Sequence, residues 1–219
     1  ETKSMVEVSQ GLHKKDPQSR DVMLFLAEYY LGRRQYRDVD IYLGRLDQSG
    51  VSWRTLFIRS ISAFRQGDLK QSHTILLQLQ GLRPEDSNVM YNFGLVLREM
   101  EKDKSSFNAF AAASEMAPEM WLPLCAMGQD YHATGDFKSA LQMFKRAASI
   151  KEHPWLQEIL KVEMASKKAE DLAAKPCLHT GMIESTLYDL TVAPAEARPT
   201  RFTLEDLDRF HPTFRTAAN

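Results

Sequence analysis

The sequence predicts an all-α fold made of tandem antiparallel helix pairs. Prolines and glycines recur at a fixed interval. Counted along the chain, Pro84 to Pro118 is a step of 34, Gly94 to Gly128 is again 34, and Gly67 to Gly135 is twice that. Between these marks apolar residues recur at i, i+3, i+4 and i+7, the spacing of one helix face. Each period holds two such runs split by a turn. A period of this size marks a repeat architecture, in which every unit buries its apolar face on its neighbours. The step from Pro17 to Pro84 falls one short of two periods, so the first full period lacks a residue.

Taken in order, residues 1–17 read as a partial repeat, a second helix that ends at Asp16-Pro17 because proline cannot continue it. The first full repeat, 20–52, carries Leu26, Ala27 and Tyr30 on one helix and Tyr36, Val39 and Leu46 on the other. The second, 53–86, turns at Gly67-Asp68 and keeps Leu69, Leu76, Leu79 and Pro84, with small Ser60 and Ser72. The third, 87–120, has Phe93, Gly94, Leu97, Phe110, Ala113 and Pro118, while Glu101 and Asp103 stand at its turn. The fourth, 121–154, is the clearest copy. Leu124, Met127, Gly128 and Tyr131 share one helix face, Gly135-Asp136 breaks the run, and Phe137, Ala140, Phe144 and Ala147 follow. Small residues at 128, 140 and 147 let two helices approach, and the aromatic rings fill the space around them.

Residues 155–174 predict an amphipathic capping helix, with Leu156, Ile159, Leu160, Val162, Met164 and Leu172 set against Lys161, Glu163, Lys167, Lys168 and Glu170. A cap is needed because an open repeat end would leave an apolar patch. Pro176 ends helical character. The tail, 175–219, does not continue the period and reads as largely irregular, with one short helix at 203–210 started by Thr203 and stopped at His211-Pro212.

The residues that keep phase from 20 to 154 resemble the tetratricopeptide repeat family. That resemblance implies a right-handed superhelical solenoid whose first helices line a concave, peptide-binding face. Carried over residue by residue, this face takes Asp21, Leu24, Glu28 and Leu31 from the first repeat, and Arg54, Phe57, Ile61 and Phe64 from the second. The third repeat gives Asn88, Tyr91, Leu95 and Arg98, and the fourth gives Leu122, Cys125, Gln129 and His132. Most of these are apolar, and a partner burying one large side chain gains about 1.5–3 kcal/mol before entropic costs. A rival reading shifts the second repeat by one position and makes Phe57, Ile61 and Phe64 ordinary core. Family members that clamp the acidic C-terminus of heat-shock chaperones use Lys, Asn and Arg. Here Leu24, Glu28 and Ile58 occupy three clamp places, and only Asn92 has the required chemistry. The pattern is closer to the apolar grooves of tetratricopeptide secretion chaperones and assembly factors.

The expected function is therefore non-enzymatic: binding an apolar peptide segment of a protein partner, in the specific form of a secretion or assembly chaperone. A scaffold subunit whose tail recruits a partner and a regulatory array of a larger enzyme are the alternatives. No catalytic motif, metal-ligand spacing or cofactor loop is found, so catalytic, metal and cofactor sites are all expected to be absent. The six histidines are scattered, and His132 reads as a repeat-surface residue. Cys125 reads as a small, semi-apolar filler, and two cysteines form no disulfide framework. The run Arg33-Arg34-Gln35-Tyr36-Arg37 reads as a solvated turn. With 28 basic against 29 acidic residues, there is no bulk attraction to nucleic acid, and no apolar run is long enough for a transmembrane segment. The chain begins at Glu1 rather than Met, which reads as a processed protein or a fragment. Sparse cysteine favours a reducing, cytoplasmic setting, with a periplasmic or membrane-associated complex as the alternative. Finally, the tail carries Leu187, Tyr188, Leu190, Phe202, Leu204, Leu207 and Phe210, and is expected to dock on the apolar face, either of its own chain or of a neighbouring copy.

Overall fold

The computed structural model describes residues 11, 19–48 and 50–174, which form helices and turns with no strand among them. Apart from Gly11, the partial-repeat helix expected over 1–17 lies outside the described residues. So do the tail, its expected helix at 203–210 and all seven tail-docking residues. The chain divides into two compact units between Gln66 and Gly67, inside the stretch 53–86 that the sequence reads as one repeat.

The first unit holds α1 (Arg20–Gly32), α2 (Tyr36–Gln48) and α3 (Trp53–Arg65), each packed on the other two. Its core is Leu26, Ala27, Val39, Leu43, Leu46 and Ile58, all 0–1% exposed. The start of α3 is fixed by a reciprocal cap. Ser52 Oγ accepts from the Thr55 amide at 3.2 Å, and Thr55 Oγ1 accepts from the Ser52 amide at 3.0 Å, which satisfies two donors left open by helix geometry. Polar ties complete the packing. Arg59 pairs with Asp47 at 2.6 Å, and Arg65 Nη1 donates to the Leu31 carbonyl at the end of α1 at 2.9 Å. The basic turn after α1 is exposed at Arg33, Arg34 and Arg37, and the Arg33 guanidinium lies over the Tyr29 ring at 4.9 Å.

The second unit holds α4 (Leu69–Leu82), α5 (Ser87–Glu99), α6 (Asp103–Met116), α7 (Trp121–Ala133), α8 (Phe137–Ile150), α9 (Pro154–Ile159) and α10 (Lys167–Ala173). Consecutive helices pack from α4 to α10, and α10 returns to α7. Aspartates cap α4, α5 and α8: Asp68 accepts from Gln71, Asp86 from Asn88 and Val89, and Asp136 from Ser139. The single capping helix expected over 155–174 is instead two short helices. Pro154 occupies the first turn of α9, a reverse turn follows, and the Ser166 side chain caps α10 by accepting from Ala169 at 3.2 Å. The physical reason is visible in the burial pattern. Leu156 and Ile159 are buried at helical spacing, but the next buried residue is Met164, five positions on and out of phase.

Two repeating features organise the hairpins. The first is a contact without slack. A Cβ added at Gly94 would lie 2.5 Å from a carbon of the Phe110 ring, and one added at Gly128 would lie 2.5 Å from the same carbon of Phe144. Glycine and ring stand at i and i+16 in both hairpins. The first unit places Ala27 and Leu43 in the same relation, both fully buried, so a partner smaller than phenylalanine goes with alanine in place of glycine. The second feature is a left-handed residue at the turn inside each of the four repeats. Gly67 and Gly135 have φ of 84° and 80°, while Arg34 and Glu101 have φ of 59° and 58°. Their spacings, 33 then 34 then 34, carry the one-residue deficit of the first period into the backbone itself.

Gly128→Ala is expected to destabilise the fold by about 1–3 kcal/mol through overpacking, and Phe144→Leu in the same chain should recover much of that loss. A double-mutant cycle by urea denaturation measures the coupling; additive losses would mean that the contact is not the source. Arg34→Gly and Glu101→Gly are each expected to stabilise by roughly 0.5–1 kcal/mol. Relief of a left-handed side chain outweighs the extra freedom of the unfolded glycine, and both positions are exposed, so no packing is lost. Lower denaturation midpoints for both would contradict this.

Candidate functional site

The residues expected on a binding face lie on α1 and α3 in one unit and on α5 and α7 in the other. In α5 the direction of Gly94 is fixed by Phe110 of α6. Asn88, Tyr91, Leu95 and Arg98 then fall about 40–120° to one side of it at 3.6 residues per turn. Leu122, Cys125, Gln129 and His132 hold the same relation to Gly128 on α7.

In the first unit Leu24, Leu31, Phe57, Ile61 and Phe64 are all buried, as is Glu28. Leu24 and Leu31 of α1 thus share the interior with Phe57 and Ile61 of α3, the helix that packs on α1. Arg54 is half-buried, with its guanidinium 5.4 Å from the Trp53 ring centre. Burial pushes the Glu28 carboxyl well above the ordinary carboxylate range, and the positive charge of Arg54 opposes that shift. Burial wins because desolvation penalises the ionised form directly.

In the second unit Asn88, Tyr91, Leu95, Leu122 and Cys125 are buried. The Tyr91 ring packs against Phe110 at 5.8 Å. Asn92, the one residue with clamp-like chemistry, is fully buried and donates from Nδ2 to the Asn88 carbonyl at 2.7 Å. Arg98 and Gln129 are brought together. Arg98 donates to the Ala126 carbonyl at 2.8 Å, pairs with Asp130 at 2.9 Å, and reaches Gln129 Oε1 at 3.4 Å. Its guanidinium also sits 4.6 Å from the Phe110 ring centre. Burial raises the Asp130 carboxyl even though Arg98 pulls the other way through charge and hydrogen bond.

The chain past α8 meets this same side of α7. Gln129 Nε2 donates to the Ala173 carbonyl at the end of α10 at 2.8 Å. His132 Nε2 lies 2.9 Å from the Met164 carbonyl, to which its N–H donates, and its ring packs on Phe137. The reading of His132 as a surface residue is thus corrected: it is 9% exposed, because the turn between α9 and α10 covers it. Asp130, Met164 and Ala173 were not singled out from sequence. Two polar residues, Gln129 and His132, on an otherwise apolar face were the available signal that something polar, here a backbone, meets it. Among the described residues no three His, Cys, Asp or Glu side chains gather as a metal site, and no helix is long and apolar enough to cross a membrane.

Because its pKa is raised in the folded state, Glu28 contributes stability that is present below about pH 4.3, the unfolded value, and lost as pH climbs through the folded value. Glu28→Gln should therefore gain in melting temperature over the parent protein as pH rises from about 4.3, with the gap levelling once Glu28 has ionised. Parallel melting profiles from pH 4 to pH 8 would show that Glu28 is not the titrating group.

No protein-family profile matches the chain, and no curated protein matches it. Solved structures do. PilF of Pseudomonas aeruginosa is 19% identical, with a TM-score of 0.58 over 83% of this chain and 80% of its own. MamA of Desulfovibrio magneticus is 17% identical, with a TM-score of 0.55 over 78% of this chain and 96% of its own. YrrB, described as a TPR protein with an unusual peptide-binding site, is 17% identical, with a TM-score of 0.54 over 70% of this chain and 83% of its own. At these identities the likeness is one of fold, and it agrees with the small-to-large pairing at i and i+16 and the left-handed turns: the chain is built of helix hairpins of the tetratricopeptide type.

Proposed function

We propose that this protein is a non-enzymatic protein–protein interaction module that takes up an apolar segment of a partner protein. The observation that carries this reading is the recurrence of large apolar side chains at equivalent repeat positions. Leu24 and Leu31 on α1, Phe57 and Ile61 on α3, Tyr91 and Leu95 on α5, and Leu122 on α7 recur at those positions. The charged groups there are already engaged, Arg98 by Asp130 and the Ala126 carbonyl. That leaves little to clamp a carboxylate and favours an apolar segment over an acidic terminus. The fold likeness to YrrB, whose description includes a peptide-binding site, supports the same class. In its specific form the module is a secretion or assembly chaperone that shields a hydrophobic stretch of a client.

Panning a random peptide library against the full chain tests this. Apolar sequences should be enriched, and photoreactive versions should attach to α1, α3, α5 or α7, as read by mass spectrometry. Enrichment of acidic peptides, or attachment confined to α2, α4, α6 and α8, would overturn it.

A further inference from the structure

The first unit gathers arginine around the turn between α1 and α2. Arg33 and Arg34 form the turn, and Arg37 opens α2. All three are exposed. Asp38 and Asp40 stand close to them in sequence, yet among the described residues no carboxylate comes within ion-pair distance of any of the three. A fourth guanidinium is brought to the same place by the bond from Arg65 Nη1 to the Leu31 carbonyl. Burial lowers the Arg65 pKa from its ordinary value; nearby Tyr36 opposes this, and the positive charge of Arg34 adds to it. Like charges therefore meet at this turn. Arg34 also holds φ at 59°, where the corresponding turns of the second and fourth repeats use Gly67 and Gly135. One residue thus breaks two local preferences, that of its backbone and that of its charge. Glu101 shares the backbone state, but Lys102 follows it and supplies the opposite charge. Conflicts of this kind between local preference and fold gather at functional positions. We propose that this arginine edge binds the phosphate headgroups of an anionic lipid surface. The proposal does not depend on the reading of the apolar positions as a peptide site.

Three observations favour a lipid surface over other anions. The first is the setting of the charges. Arg33, Arg34 and Arg37 stand on a turn and on the solvent side of α2, opposite its buried Val39, Leu43 and Leu46. An exposed guanidinium gains little from one screened carboxylate in water. A sheet of headgroups meets several guanidiniums at once, and each adds to the attraction. The second is Ile41. It lies one turn after Arg37, about 40° round the helix, and is 51% exposed. An apolar side chain beside cations suits the boundary between headgroups and acyl chains. The third is the state of the aromatic rings. The Arg33 guanidinium lies 4.9 Å from the Tyr29 ring centre, Tyr29 meets Tyr30 edge-on at 5.3 Å, Tyr30 stacks on Tyr42 at 5.7 Å, and the Arg45 guanidinium lies 5.8 Å from Tyr42. These rings serve to hold one another and two guanidiniums in place. Single-stranded nucleic acid needs ring faces on which its bases can stack, and here those faces already have neighbours.

Sedimentation of the full chain with lipid vesicles tests this. The protein should pellet with vesicles of phosphatidylcholine mixed with phosphatidylserine, and should stay in the supernatant with phosphatidylcholine alone. Added salt should weaken the binding, because it screens exposed charge. Arg34→Gly should weaken it about fivefold, and the triple variant Arg33→Gln, Arg34→Gln, Arg37→Gln by about a hundredfold or more. Two controls separate charge from folding. The triple variant should keep the helical circular dichroism of the parent. Glu101→Gly, which removes the other left-handed side chain, should bind vesicles as the parent does. Arg34→Gly would then raise the denaturation midpoint and lower vesicle binding together, whereas Glu101→Gly would raise the midpoint alone. Equal binding to both kinds of vesicle overturns the proposal, and so does unchanged binding by the triple variant. Retention of a polyglutamate peptide or of single-stranded RNA by the parent, lost in the triple variant, with no binding to vesicles, also overturns it and assigns the edge to an acidic protein or a nucleic acid.

Discussion

The close approach of Gly94 to Phe110 and of Gly128 to Phe144 governs much of what the second unit can be. Each hairpin is closed by a ring that meets bare backbone, and the space left for a side chain on the opposing helix is nil. That contact fixes the rotation of α5 and α7 about their own axes. Once rotation is fixed, every other position on those helices has an assigned neighbour. Leu97 and Tyr91 flank the ring contact, Val89 and Val96 fall on the opposite side, and Asn88 and Leu95 take the remaining side. The direction of the proposed binding face is thus set by hairpin closure, and its composition is left to the sequence.

This constraint also explains what could be read without coordinates. The turn glycines and the fixed repeat interval are local signals, so the fold of tandem helix pairs was legible. Glu101 and Arg34 show how far that legibility goes. Neither residue favours a left-handed turn, yet both adopt one, because the surrounding hairpins place the turn there and tertiary packing outweighs local preference. The fate of the face was less legible. Sequence spacing gives the direction in which Leu95 or His132 points, but not what stands opposite. His132 is covered by a backbone carbonyl thirty-two residues away, and a carbonyl leaves no trace in residue identity. The cap was misread as one helix for a similar reason. The apolar residues of 155–174 suit a helix in composition, and the break lies in phase alone.

The polar groups on the α5–α7 side form a chain: Arg98 to Gln129 to the Ala173 carbonyl, with Asp130 balancing the charge. A half-buried arginine that lacked such partners would be destabilising. Here the guanidinium joins one hairpin to the next, and the amide of Gln129 passes the connection to the cap. Groups that sequence reading offers as contacts for a partner are thus already spent on joining the protein's own elements. In the proposed function, selectivity for a partner would then fall to shape and apolar surface.

The cap has a consequence for how such a protein ends. Trp155 stands one full period after Trp121, so α9 opens as a fifth first helix would. It stops after six residues, and the chain turns back until the Trp155 indole N–H donates to the Leu172 carbonyl at 2.9 Å. A repeat begun and then folded onto itself works as a terminator. It presents the preceding hairpin with the indole surface it needs, and then withholds the second helix on which another hairpin would stack. The described array is thereby closed at this point by one tryptophan and one reversal of the chain.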